Sequence, residues 1–208
     1  MWVHTKDSQD KITPLKALKL LKEGNKRFLG NLKLDRNLLK QVNLTSDGQF
    51  PFATVLSCID SRTSAELVFD QGLGDIFSIR IAGNIINNDI LGSMEYSCSI
   101  AGSKIIVVLG HTKCGAVISA CDHIQSGHLT GLLQKIKPAI DEEKTILVNR
   151  DGRNRAFVAS VSRIHVRLMM QRIREQSVLL NQLVDEGRIM LAGALYDIDS
   201  GEVSFFDD

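Results

Sequence analysis

The chain has 208 residues, 44% hydrophobic and 24% charged, enough for one well-buried soluble domain. A formal net charge of +1 gives no electrostatic reason to expect nucleic acid or an anionic membrane as partner, and no apolar run is long enough to span a bilayer. The opening residues lack the apolar core of a secretory signal, and four cysteines without dense spacing suit a reducing compartment. The expected location is cytoplasmic, with the sequon at Asn43 idle.

Residues 1–12 are polar and expected to be loose; the only tryptophan, Trp2, falls among them. Thr13-Pro14 reads as a helix start, a capping residue followed by proline at the first helical position. Leu15, Leu18, Leu20 and Leu21 form an apolar stripe running towards Phe28, and a weaker helix is expected over 35–42. The apolar run 52–56 has the length of a buried strand and ends in Ser57-Cys58-Ile59-Asp60-Ser61-Arg62. A short helix over 63–70, with Leu67, Val68 and Phe69 inward, leads to a turn over 71–75. That turn is not a phosphate loop, because a strand over 76–81 follows it rather than a helix.

A helix over 90–101 precedes a second apolar run, 104–109, which ends in Gly110-His111-Thr112-Lys113-Cys114-Gly115. Helices follow over 114–123 and 129–143, the latter interrupted near Pro138, and 149–152 is a turn signal. A long amphipathic helix over 157–176 and a shorter one over 178–186 end at Gly187. Strands over 188–196 and 203–206 close the chain. This alternation argues βαβ units, hence an α/β fold with a mostly parallel central sheet flanked by helices. No repeat or low-complexity linker divides it. The expectation is a single domain over 1–208, with a helical arm over 1–45 and an α/β core over 46–208.

Two parallel strands side by side would bring both carboxyl ends to one crevice, the usual ligand position in open α/β sheets. Cys58, His111 and Cys114 then supply two thiolates and one imidazole, with Asp60 available as a fourth, oxygen ligand; by ligand chemistry that is a zinc site. A lone buried cysteine is usually a small hydrophobe. What argues for metal is the coincidence of a Cys-x-Asp-x-Arg and a His-x-x-Cys, each behind a β-branched run. Two thiolates neutralise the ion's charge and weaken it as a Lewis acid, so its bound water needs help to ionise. Asp60 can accept a hydrogen bond from that water if Arg62 grips it bidentately and holds it off the metal. A plain structural ion pair is the alternative for these two. No Cys-x-x-Cys pair supports a redox reading.

These paired motifs resemble those of the β-class carbonic anhydrases. The likeness extends to Ala82-Gly83-Asn84-Ile85, Gly92-Ser93-Met94-Glu95-Tyr96 and Gly193-Ala194-Leu195-Tyr196-Asp197, and covers nearly the whole chain from about Leu15 onward. It implies zinc-dependent, reversible hydration of carbon dioxide to bicarbonate and a proton. Cys58, His111 and Cys114 match the zinc ligands, and Asp60 with Arg62 matches the catalytic dyad. Gln49, Phe77 and Tyr96 match substrate-pocket positions, as does Ala82, which stands where the family often has valine. A homodimer or dimer of dimers is also implied, and the stripe over 15–28 would pack either on its own core or on the neighbouring subunit.

In a closed form of such sites the aspartate moves onto zinc, often with bicarbonate held in a nearby non-catalytic pocket. That pocket uses a tryptophan three residues before the first zinc cysteine and a glycine just before it. Here Val55 and Ser57 occupy those positions, so an open site is expected near and above neutral pH, with Asp60 a metal ligand only in a closed state. Two alternatives stand beside hydration: hydrolysis of a related small heterocumulene on the same fold, and a zinc- or bicarbonate-binding module without turnover. Loss of Asp60 or Arg62 would have favoured the latter. No proton exit stands out; His123 and His128 read as surface residues, Cys98 and Cys121 as small core residues.

Overall fold

In the computed structural model, which describes residues 3–207, four apolar runs form the parallel part of one sheet. β1 (Ala53–Ser57), β2 (Ile76–Arg80), β3 (Ile105–His111) and β4 (Met190–Tyr196) lie in the order β2-β1-β3-β4, and β5 (Val203–Phe205) returns antiparallel on β4. All residues of β1 and β3 are buried, because helices cover both faces; this is why the two read as unbroken apolar runs. Successive side chains alternate between layers. Val55, Ile105, Val107 and Leu109 pack with Ala17, Leu21 and Phe69 on one side. Leu56, Ile106 and Val108 pack with Met94, Val166, Met169 and Leu180 on the other.

The first layer is built by α2 (Pro14–Leu29) and α4 (Ala65–Val68), the second by α5 (Asn88–Glu95), α9 (Arg155–Gln176) and α10 (Val178–Asp185). A third cluster joins Cys58 and Cys114 to Val117, Ile136, Phe157 and Val161. It lies under α6 (Gly115–Cys121), α7 (Gly127–Gln134) and α8 (Lys137–Glu142). After β1 the chain moves to β2 on one side, then crosses to β3 on the other. The strand order therefore reverses between β1 and β3, and a crevice opens at their carboxyl ends.

Residues 3–12 are not loose. Thr5 and Ser8 form a reciprocal cap on α1 (Lys6–Asp10), and His4, Gln9 and Ile12 are buried. The Gln9 amide Nε2 donates to Pro51 O at 2.7 Å and Ala101 O at 2.8 Å, so a polar residue is buried at no loss of pairing for its donor. Trp2 lies outside the described residues. The apolar stripe of α2 packs on its own sheet through Ala17 and Leu21, leaving Leu15 exposed. Gly24 sits so close to α4 that a Cβ there would stand 1.8 Å from Phe69 O. Asn25 donates to Val68 O and Gly201 O, and Arg27 and Arg36 both grip the buried Asp70.

Other differences are local. α3 (Leu38–Leu44) begins behind an Asn37 cap, three residues later than expected from the sequence. Leu67 is 57% exposed rather than inward, because one turn of helix points only Ala65 and Val68 at the core. α5 starts behind an Asn87 cap and continues as a π-turn, Tyr96–Ile100, closed by Ala101 N–H on Tyr96 O. Pro138 sits in the first turn of α8, where it is tolerated.

Candidate metal centre

Cys58 is the first residue past β1 and His111 the last of β3, and β1 pairs with β3 with Ser57 opposite Leu109. Cys114 caps α6, one position ahead of the first turn in which it was expected, after a left-handed Lys113 that turns the chain back over the strand ends. One ligand atom from each of the three residues falls within 4.8 Å of the other two, and all three side chains are buried. The two Sγ atoms are 3.9 Å apart. A tetrahedral ion with zinc–sulfur bonds of about 2.3 Å would set them about 3.8 Å apart.

The imidazole is prepared in the same sense. His111 Nδ1 lies 2.9 Å from Thr112 O, and a carbonyl can only accept, so Nδ1 carries the proton. Nε2 is left as a bare lone pair, buried and without a hydrogen-bond partner. The thiols are coupled. The hydrogen bond with Cys114 pulls Cys58 well below the ordinary thiol range against the cost of burial, helped by the Gly83 N–H at 3.3 Å. Cys114 is pushed far up by the same bond and by burial. Two thiolates at this distance are stable together only around a cation, so the donor set fits zinc.

Asp60 is turned towards Arg62, not into the sulfur cluster. Its Oδ1 accepts the Arg62 backbone N–H at 3.0 Å and Nε–H at 2.9 Å, and Oδ2 accepts Nη2–H at 2.7 Å. These bonds hold the carboxyl well below the usual carboxylate range. The turn carrying Cys58 and Asp60 is braced from outside by Arg80, which donates to Cys58 O at 3.0 Å and Asp60 O at 2.6 Å, and from within by Thr63. The loop after β4 secures the other motif: Lys113 pairs with Asp199, and Thr112 bonds Asp197 and the Ile198 N–H.

A carbonic anhydrase family model matches residues 53–203. The chain is 34% identical over 201 residues to carbonic anhydrase 2 of Mycobacterium tuberculosis, covering 93% of each. It is 36% identical over 197 residues to a carbonic anhydrase of Mycolicibacterium smegmatis, covering 91% and 92%. Among solved structures, a tetrameric β-carbonic anhydrase of Sordaria macrospora shares the fold at TM-score 0.70 and 20% identity, over 80% of this chain and 85% of that one. This chain belongs to the β-carbonic anhydrase family.

Within one carbonic anhydrase chain the expected site residues fall into two groups. Cys58, Asp60, Arg62, His111 and Cys114 converge at the crevice, and Ala82 stands beside it, next to Gly83. Phe77 and Tyr96 do not join them. They meet edge-on, 6.4 Å between ring centroids, in an open groove between the free edge of β2 and α5 that contains none of the ligands. Phe77 pairs with Thr54, four residues before Cys58, which sets it about 13 Å back along the sheet. Gln49 is exposed in the loop before β1. Arg80 went unread in the sequence: only the pairing of Ser57 with Arg80 across β1 and β2 brings it to the motif. Among the described residues no helix is long and apolar enough to cross a membrane.

Proposed function

We propose that this chain catalyses the zinc-dependent, reversible hydration of carbon dioxide, with Cys58, His111 and Cys114 holding the metal and Asp60 orienting the attacking water. The observation that carries this is a single crevice in which three zinc donors lie within 4.8 Å beside a carboxylate clamped by a guanidinium. Zinc held there supplies Lewis acidity, which makes water a nucleophile near neutral pH. Three N–H groups of Arg62 occupy the Asp60 carboxylate but leave a lone pair of Oδ2 free for a water O–H. Because the same arginine keeps the carboxyl ionised and strongly acidic, Asp60 orients that water without taking its proton. The clamp also keeps Asp60 off the metal donors, which supports an open site near and above neutral pH. Val55 and Ser57, both buried in β1, supply neither an indole nor a bare glycine backbone for a bicarbonate lock.

The working unit is a homodimer or a dimer of dimers, in which a second copy lends Gln49, Phe77 and Tyr96 to the pocket. Their separation from the ligands within one chain supports this, as do the exposed Leu29, Leu32, Leu34, Leu38 and Leu39 of the N-terminal arm. Metal analysis of the purified protein should find about one zinc per chain, and stopped-flow mixing with carbon dioxide should show catalysed hydration. Cys58→Ser should lose zinc and turnover together; full retention of both would sink the assignment.

A further inference from the structure

We infer that His165 is a positioning residue of the metal centre: it anchors the Gly83 carbonyl, and with it the tight turn whose preceding peptide aims the Gly83 N–H at the Cys58 sulfur, and so limits the charge this sulfur gives to a metal. The inference rests on Cys58 being a ligand. His165 stands in the middle of α9, 1% exposed, with Nε2 2.8 Å from Gly83 O. A carbonyl only accepts, so Nε2 bears the proton; Nδ1 is then a bare acceptor, buried without a partner. Burial pushes the ring's pKa down to about 4, so it is neutral whenever the protein is at work. An aliphatic side chain would fill this space without leaving a nitrogen unpaired, but it would orphan the Gly83 carbonyl.

Gly83 needs an anchor. It belongs to a three-residue turn, Ala82–Asn84, outside every strand ladder, and both Gly83 (φ +65°) and Asn84 (φ +40°) are left-handed. A Cβ on Gly83 would crowd Ile136 Cδ1 at 2.9 Å and Ala116 Cβ at 3.2 Å, and its left-handed φ would strain any L side chain, so the position favours glycine. Backbone bonds close the turn, Asn84 N–H on Ile81 O, and tie its entry to β1, Ile81 N–H on Ser57 O; Gly83 itself is held by His165 on its carbonyl and by its N–H on Cys58 Sγ, 3.3 Å away. An N–H donated to a thiolate draws charge away from the bond that sulfur makes to a metal. In a site where two thiolates already offset the ion's charge, that returns some Lewis acidity.

The test uses the cobalt(II)-substituted protein, whose sulfur-to-cobalt charge-transfer band reports the electron richness of the thiolates. His165→Leu should move this band to lower energy and lower kcat/KM of the zinc enzyme about 10-fold, as expected for groups that orient metal ligands. His165→Gln, which keeps an N–H of similar reach, should restore both. Should His165→Leu fail to fold, His165→Gln is compared with the shorter His165→Asn; a wild-type band in the first and a shifted band in the second support the anchor. A folded, fully loaded His165→Leu protein with the wild-type band overturns the proposal, as does an identical band in the Gln and Asn variants. Cys58→Ser separates the two levels: if its cobalt band keeps full intensity, the ligand assignment has failed rather than the role of His165.

Discussion

Asp60 and Glu143 are both carboxylates held by arginine, and their surroundings separate a chemical role from a structural one. Asp60 stands at the crevice with acceptor capacity to spare, its partner Arg62 half in solvent. Glu143 is fully enclosed and its oxygens are taken up by Thr145, Ile146, Arg150 and Ser160. Asp60→Asn should therefore keep fold and zinc yet lower hydration about 100-fold, the usual cost of removing one well-placed polar group from a reacting centre. A fully active variant would reduce the dyad to an ion pair. For Glu143 the readout is stability. The Thr145 hydrogen bond, with the N–H groups of 145 and 146 and Arg150, holds its carboxyl at about 2 against an ordinary 4.5. A folded value below the unfolded one stabilises above pH 4.5, and that stabilisation disappears as pH falls from 4.5 to 2. Thermal melts of Glu143→Gln should lie well below the native protein at neutral pH and approach it through that window. A gap that stays constant with pH would refute the account.

At the scale of elements, α1 shows how a buried amide can hold two distant segments. Gln9→Leu removes the donor shared by Pro51 O and Ala101 O, so urea unfolding should lose about 2 kcal/mol with zinc content unchanged. The same helix marks the boundary of what the sequence discloses. Strands β1 and β3 were legible because burial on both faces leaves an unbroken apolar run, and α2 because Thr13-Pro14 announces it. The five residues at the crevice were legible because each sits a fixed step from a strand end. α1 was not, since Gln9 is polar in the sequence and becomes a core residue only when it meets two carbonyls from elsewhere. Arg80 and His165 escaped for the same reason: their partners, Cys58 O and Gly83 O, are tens of positions away and lie on the backbone, which no side-chain pattern records. Leu67 was misread because four residues of helix carry too little periodicity to say which way a leucine points.

At the scale of the whole molecule, one chain holds the metal donors at one end of its sheet and an aromatic pair well back along an open edge. Sedimentation at micromolar concentration should find a dimer or a larger even assembly; an active monomer would contradict the shared pocket. The separation has a consequence for mixed populations. A Cys58→Ser chain lacks a metal site but still carries Phe77 and Tyr96, whereas a Tyr96→Ala chain keeps its metal site and lends a damaged wall. If the wall always comes from the neighbour, each mixed pair has one centre with both defects and one with neither. Two preparations that are each nearly inactive should then regain activity when co-expressed, and chains that build their pockets alone should not.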